Sequence, residues 1–209
     1  MNKKLAFILT LTILFCLYIF LLSTNYAKSV SANLSSSVFR LHIIANSDSE
    51  EDQNLKLLVR DNIINYMNTL ISNSNSKNDI ISIVSNHIED FKNIALETIH
   101  SHGYNYTINI SIGNFYFPTK SYGDISFPSG HYDALKIEIG ESIGQNWWCV
   151  LFPPLCFVNS SSGVIPDDSK NILKENLNSE SYDIINSNNK NIDSSVKIKF
   201  KIVEFFNNL

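Results

Sequence analysis

Hydrophobic and polar positions divide the chain into segments of distinct period. Behind Lys3 and Lys4, an apolar run extends from Leu5 to Leu22, interrupted only by Thr10 and Thr12. A basic flank before such a run is an export signal, because the positive end stays cytoplasmic while the apolar stretch enters the bilayer. The run exceeds the roughly 7–15 residues of a signal-peptide core and approaches the roughly 18 of a spanning helix. Val30-Ser31-Ala32 supplies small residues for signal peptidase. Cleavage after Ala32 and retention as an uncleaved anchor both fit, and either places the remainder outside the cytoplasm. Ser23 to Ser37 is polar and Ser-rich and reads as a spacer.

Val38-Phe39-Arg40-Leu41-His42-Ile43-Ile44 is rich in apolar and β-branched residues and predicts a buried strand. It stops at Asn46-Ser47-Asp48, where Ser47 and Glu50 fit a capping box, with Glu50, Glu51 and Asp52 placing negative charge at a helix start. The helix predicted from there to about Ile71 carries Leu55, Leu58, Val59, Ile63, Tyr66 and Leu70 on one face. After a polar break, a second helix from about Asp79 to Gly103 aligns Ile80, Val84, Ile88, Phe91, Ala95 and Ile99. The two helices are expected as an antiparallel pair.

A period of two follows. Tyr104, Tyr106, Ile108, Ile110 and Ile112 predict a half-buried strand ending at the turn dipeptide Gly113-Asn114. Residues 115–130, aromatic and punctuated by Pro and Gly, read as a structured loop or irregular hairpin. Leu135, Ile137 and Ile139 mark another strand, and Asn146 to Phe152 a further one, halted by Pro153-Pro154. Residues 159–195 are Asn-rich and polar. Val196, Ile198, Phe200 and Ile202 then alternate with Lys197, Lys199 and Lys201, which predicts a C-terminal edge strand over 196–204 with a basic outer face. These patterns predict a single α+β domain over 38–209, with a mainly antiparallel sheet of about five strands and two helices packed on one face. It follows a signal peptide or signal anchor over 1–32 and a linker over 33–37.

Length and composition narrow the classes. At 209 residues and 44% hydrophobic, the chain is large enough for a self-sufficient core. A net charge of −4 without any basic stripe argues against nucleic acid as the partner. Of the three cysteines, Cys16 lies inside the apolar run, where Ile13-Leu14-Phe15 is not the small-residue box that lipid attachment needs. Cys149 and Cys156 form a candidate disulfide pair in an oxidising compartment.

Candidate chemistry is sparse. There is no HExxH, CxxC or GxSxG pattern, and Asp48-Ser49 is followed by Glu50 where an aspartic protease motif requires Gly. His87 and His102 fall on the apolar side of the second helix and His100 opposite, an arrangement that suits core packing better than metal ligation. No metal or cofactor is expected. Cys149 paired with a distant His is the one route to an extracytoplasmic cysteine-dependent hydrolase, and it needs a reduced, accessible thiol. Aromatic density stands out instead. In a strand Trp147 and Trp148 face opposite sides, so both are core only if both faces of the sheet are covered; otherwise one indole is presented to a partner.

Two blocks of residues resemble a known family. The first runs from Arg40 through Leu41-His42-Ile43-Ile44-Ala45-Asn46-Ser47-Asp48-Ser49 to Glu51-Asp52-Gln53 and Val59-Arg60-Asp61. The second comprises Phe117-Pro118-Thr119-Lys120, Tyr122-Gly123, Phe127-Pro128-Ser129-Gly130, Gly140-Glu141 and Gly144-Gln145-Asn146-Trp147-Trp148-Cys149-Val150-Leu151-Phe152-Pro153-Pro154-Leu155-Cys156. Over residues 38–158 the chain resembles the stage II sporulation protein R family of spore-forming bacteria. That resemblance implies a protein made in the forespore and exported into the space between forespore and mother cell. There it would activate a membrane-bound aspartic protease resembling stage II sporulation protein GA, which processes the sigma-E precursor. The role implied is activating ligand, not enzyme; a structural envelope subunit is the remaining alternative. The expected contact surface comprises Trp147 or Trp148, the 115–122 loop with Phe115, Tyr116 and Tyr122, and the corner with Asn46 and Asp48.

Overall fold

A computed structural model describes residues 3–71, 76–156, 165, 167–186 and 194–208, with side chains from 198 onward in the last stretch. The first element, α1 (Lys3–Ser37), is one helix of 35 residues. Nothing in that span breaks a helix: it holds no Gly or Pro, and its hydroxyls bond back to carbonyls of the preceding turn, as Thr12 does to Leu9 and Ser37 to Asn33. Its first part is long and apolar enough to cross a membrane. The expected spacer, including the 33–37 linker, is therefore helical. Ala27, Val30, Leu34 and Ser37, spaced three and four apart, form its buried stripe.

Four strands make the main sheet: β1 (Phe39–Ile44), β2 (Ile108–Phe117), β5 (Gly130–Ile139) and β6 (Asn146–Phe152), in the order β2-β5-β1-β6. The pairs β2–β5 and β1–β6 are antiparallel, but β1 and β5 are parallel, so the sheet is mixed rather than mainly antiparallel. Strands β3 (Lys120–Tyr122) and β4 (Ile125–Phe127) form a separate small hairpin. Alternation along a strand reports which face is buried and carries no information on strand direction.

Both faces of the sheet are covered. Phe39, Leu41 and Ile43 point into one core with α2 (Glu50–Leu70), α3 (Lys77–Asn86) and α4 (Ile88–Ser101). The opposite core joins Phe117, Phe127, Tyr132, Ala134 and Val150 to the buried stripe of α1 and to α5 (Asp167–Asn176), α6 (Ser179–Ile185) and α7 (Ser194–Asn207). The expected two-helix layer is thus one of two helical layers.

Several boundaries differ from expectation. The cap of α2 is Ser49, whose hydroxyl accepts from the Asp52 amide at 3.2 Å, because the Ser47 hydroxyl is engaged by the Asp52 carboxylate at 2.5 Å. The second helix breaks at His87, whose ring bonds Asp90 at 2.8 Å and the Tyr66 hydroxyl at 3.0 Å, although Ile80, Val84, Phe91, Ala95 and Ile99 share one core as expected. Gly113-Asn114 continues β2 rather than turning. Asn114 bonds Asp133 across the ladder at 2.9 Å, and the Phe115 ring fills the space above Gly113. The expected C-terminal strand is the helix α7. Its period-two start gives way at Val203-Glu204-Phe205-Phe206, and apolar residues recur because the helix is contacted on two sides.

Candidate functional site

Strand β6 is the edge of the sheet, and beside it opens a cleft of about 600 Å³ between the start of α2 and the β3–β4 hairpin. Gln53, Lys56 and Leu57 form one wall, Lys120 to Gly123 the other, and Gln145 to Cys149 the floor. Trp147 and Trp148 point to opposite faces of the sheet, and both are half-buried. Trp147 packs on the first core and lies under the guanidinium of Arg60, 4.3 Å from its carbon. Trp148 stacks on the His42 ring at 3.7 Å and tilts against Phe117 at 4.7 Å. Both sheet faces being covered makes both indoles packing residues. Their place on the edge strand leaves each partly open to the cleft.

A relay behind the cleft holds this arrangement. Arg40 is fully buried, with its guanidinium carbon 4.1 Å from the Phe117 ring centre and 4.8 Å from that of Tyr132. Its Nη2 donates to the Tyr122 hydroxyl at 2.9 Å, and that hydroxyl donates to the Trp148 carbonyl at 3.1 Å. Aromatic faces stand where a carboxylate would be usual. Arg40 Nε and Nη1 have no hydrogen-bond partner among the described residues. Burial pushes the Tyr122 hydroxyl pKa up, partly offset by Arg40. His42 bonds Asn146 through Nε2 at 2.6 Å. Burial holds its pKa below the ordinary value, Asn146 offsetting part of that, so the ring stacked on Trp148 is neutral at neutral pH.

The corner at Asn46–Asp52 supports the floor from below. The Asp52 carboxylate accepts from Asn46 at 2.8 Å and from Ser47, and these bonds outweigh burial to hold its pKa below the usual carboxylate range. The opposite atoms of the corner grip the β5–β6 loop: Asn46 Oδ1 accepts from the Glu141 amide, Asp48 from the Gln145 amide, and the Ala45 carbonyl from the Gly144 amide. Contact is so close that a Cβ on Gly144 would lie 2.1 Å from the Ser47 carbonyl oxygen. Lys56 completes the grip by donating to the Gln145 carbonyl at 2.9 Å, and burial lowers its pKa.

Of the residues expected at a contact surface, Trp147, Trp148 and Tyr122 line this cleft, and Asn46 and Asp48 hold the loop that leads into it. Phe115 and Tyr116 lie elsewhere: Phe115 is beneath Lys136, and the Tyr116 hydroxyl bonds Asn208 at 2.7 Å. Sequence reasoning missed Arg40, Lys56 and the glycines as determinants of the cleft. A lone arginine within the apolar run 38–44 was the available signal. The sulfurs of Cys149 and Cys156 are bonded, which ties β6 to the turn after it. Chemically the cleft offers indole faces, the Lys120 amine and side-chain amides. Among the described residues no group of three His, Cys, Asp or Glu side chains is placed to hold a metal ion.

Comparison with known proteins gives two concordant matches. The family model described as stage II sporulation protein R matches residues 35–162. Stage II sporulation protein R of Bacillus subtilis (strain 168) is 33% identical, over 95% of this chain and 98% of its own length. No solved structure matches.

Proposed function

The chain belongs to the stage II sporulation protein R family, and on that premise we propose that it is an exported sporulation signal that activates a membrane-bound aspartic protease. The receptor is of the stage II sporulation protein GA kind, and its product is the processed sigma-E precursor. The chain acts as a ligand in the space between forespore and mother cell, and contributes no catalytic group to the cleavage.

The observation that carries this reading is the cleft along β6. It gathers Trp147, Trp148, Tyr122 and Lys120 at a sheet edge, with the Arg40–Tyr122 relay behind it. Aromatic anchors in a cleft beside an edge strand suit a peptide segment, whose side chains find pockets there. Such a ligand activates its receptor only through higher affinity for the active state.

The test is co-expression of the chain with the receptor protease and the sigma-E precursor. Processing that requires the chain and falls at least about tenfold in Trp147→Ala and Lys120→Ala, with expression and export unchanged, supports the reading; tenfold corresponds to about 1.4 kcal/mol of contact energy. Processing that proceeds equally without the chain removes the activating role. Full processing with both variants moves the contact surface away from this cleft.

A further inference from the structure

The last helix, α7, lies across α1 just beyond the end of its apolar run. Its two sides are chemically distinct. On one side, Val203 is fully buried against the domain, Asn207 donates to the Ser129 carbonyl at 2.7 Å and accepts from Ser31 at 2.9 Å, and Lys199 pairs with Glu180 at 2.7 Å. On the other side, Ile198, Ile202 and Phe205, spaced four and three apart, share a face with the adjoining Phe206. Ile198 is 59% and Phe205 58% exposed, although both are large and apolar. This face turns toward the span of α1: Phe206 meets Phe20 edge-on at 5.4 Å, and an apolar groove of about 730 Å³ runs between the face and Phe15, Ile19 and Phe20.

Those α1 residues belong to the stretch that enters a bilayer, so the α7 face is continuous with a lipid-facing surface. We propose that α7 is an interfacial helix, with Ile198, Ile202 and Phe205 seated at the headgroup–acyl boundary of the membrane that α1 enters. Surrounding residues fit that depth. Tyr26, an aromatic of the kind favoured at membrane interfaces, lies just past the apolar run, with Lys199 5.6 Å from its ring centre. Lys201, at the rim of the face and well exposed, reaches the headgroup level. Helices of this kind bury their apolar side roughly 5–10 Å into the interface. The occupant is therefore lipid. A second copy of the chain or a protein partner on the same face would be the rival occupants. The inference rests on α1 lying in a bilayer and is independent of protease activation.

The experiment uses the full chain carrying Cys16→Ser, reconstituted into phosphatidylcholine–phosphatidylglycerol vesicles, with single Ile198→Cys, Phe205→Cys or Ser85→Cys substitutions labelled with an environment-sensitive fluorophore. Both α7 positions are exposed, so the substitutions leave the packing intact, and Ser85 is an exposed control on α3. Lipid contact predicts blue-shifted emission at 198 and 205, quenched at least about twofold by acyl-brominated lipid and shielded from aqueous iodide, with the reverse at 85. Emission at 198 and 205 matching that at 85 overturns the proposal by placing the face in water. Shielding from iodide without quenching by brominated lipid also overturns it. If that shielding vanishes on dilution, the face belongs to a second copy.

Discussion

Removing residues 1–32 deletes more than the apolar run, because α1 contributes to the core beyond that run. Two water-soluble fragments isolate the effect: 23–209 keeps the second half of α1, and 33–209 begins where cleavage after Ala32 would leave it. The shorter fragment loses Ala27 and Val30, buried at 0% and 4% exposure. Burying the alanine methyl and the valine side chain is worth about 1 and 2 kcal/mol respectively. Loss of the Ser31–Asn207 hydrogen bond adds about 1 kcal/mol. Leu34 stays but sits in a frayed first turn. The expected difference is about 3–5 kcal/mol, a large share of the roughly 5–15 kcal/mol of a typical domain. Urea unfolding followed by tryptophan emission reads this directly, since Trp147 and Trp148 report on different cores. With a slope of about 2 kcal/mol/M, the midpoint of 33–209 should fall by roughly 1.5–2.5 M relative to 23–209. Midpoints agreeing within about 0.3 M would refute the assignment of α1 to the core.

Three further outcomes follow from the cleft and its supports. Gly144→Ala, whose methyl would overlap the Ser47 carbonyl, should cost at least about 2 kcal/mol in chemical denaturation, because backbone on both sides must move. Arg40→Lys should destabilise by about 2 kcal/mol or more, since an ammonium can neither stack on Phe117 nor fork, whereas Arg40→Met should stay within about 1 kcal/mol while shifting Trp148 emission as Tyr122 is released. The folded-state pKa of His42 lies below its ordinary 6.5, so the unfolded chain binds the extra proton first. Stability should therefore be full above about pH 6.5 and fall on acidification until the folded-state pKa is reached, a slope that His42→Gln removes in urea titrations at several pH values.

Much of the fold was legible because period and burial coincide where one side of an element faces a core. β1, β5 and β6 lie close to where alternation and apolar runs put them, and the helical stripe from Leu55 to Ile99 packs into one core except for Leu58, which is exposed. Where an element is contacted on two sides, the signal misled. Val196 to Ile202 alternates like a strand, yet α7 presents one face to the domain and another to the α1 groove. Ser23 to Ser37 is polar enough to read as a spacer, but four residues at helical spacing suffice to seat one side of it on the core. The mixed sheet could not be read, since a parallel and an antiparallel partner demand the same alternation. Within the site, Trp147, Trp148 and Tyr122 announced themselves by type. The role of Arg40 depends on Phe117, Tyr122 and Tyr132, which are distant in sequence and adjacent only after folding.

The continuity of α1 sets the reach of the domain. A flexible 15-residue spacer would let the domain wander about 20 Å further from its membrane on average. A helix without Gly or Pro that runs from the apolar span into the core leaves no such slack. A folded unit of about 170 residues measures roughly 40 Å across. If the chain acts on a receptor in an opposing membrane, as proposed, that receptor must come within about this height while α1 remains intact, so the gap between the two membranes would itself be a condition for signalling.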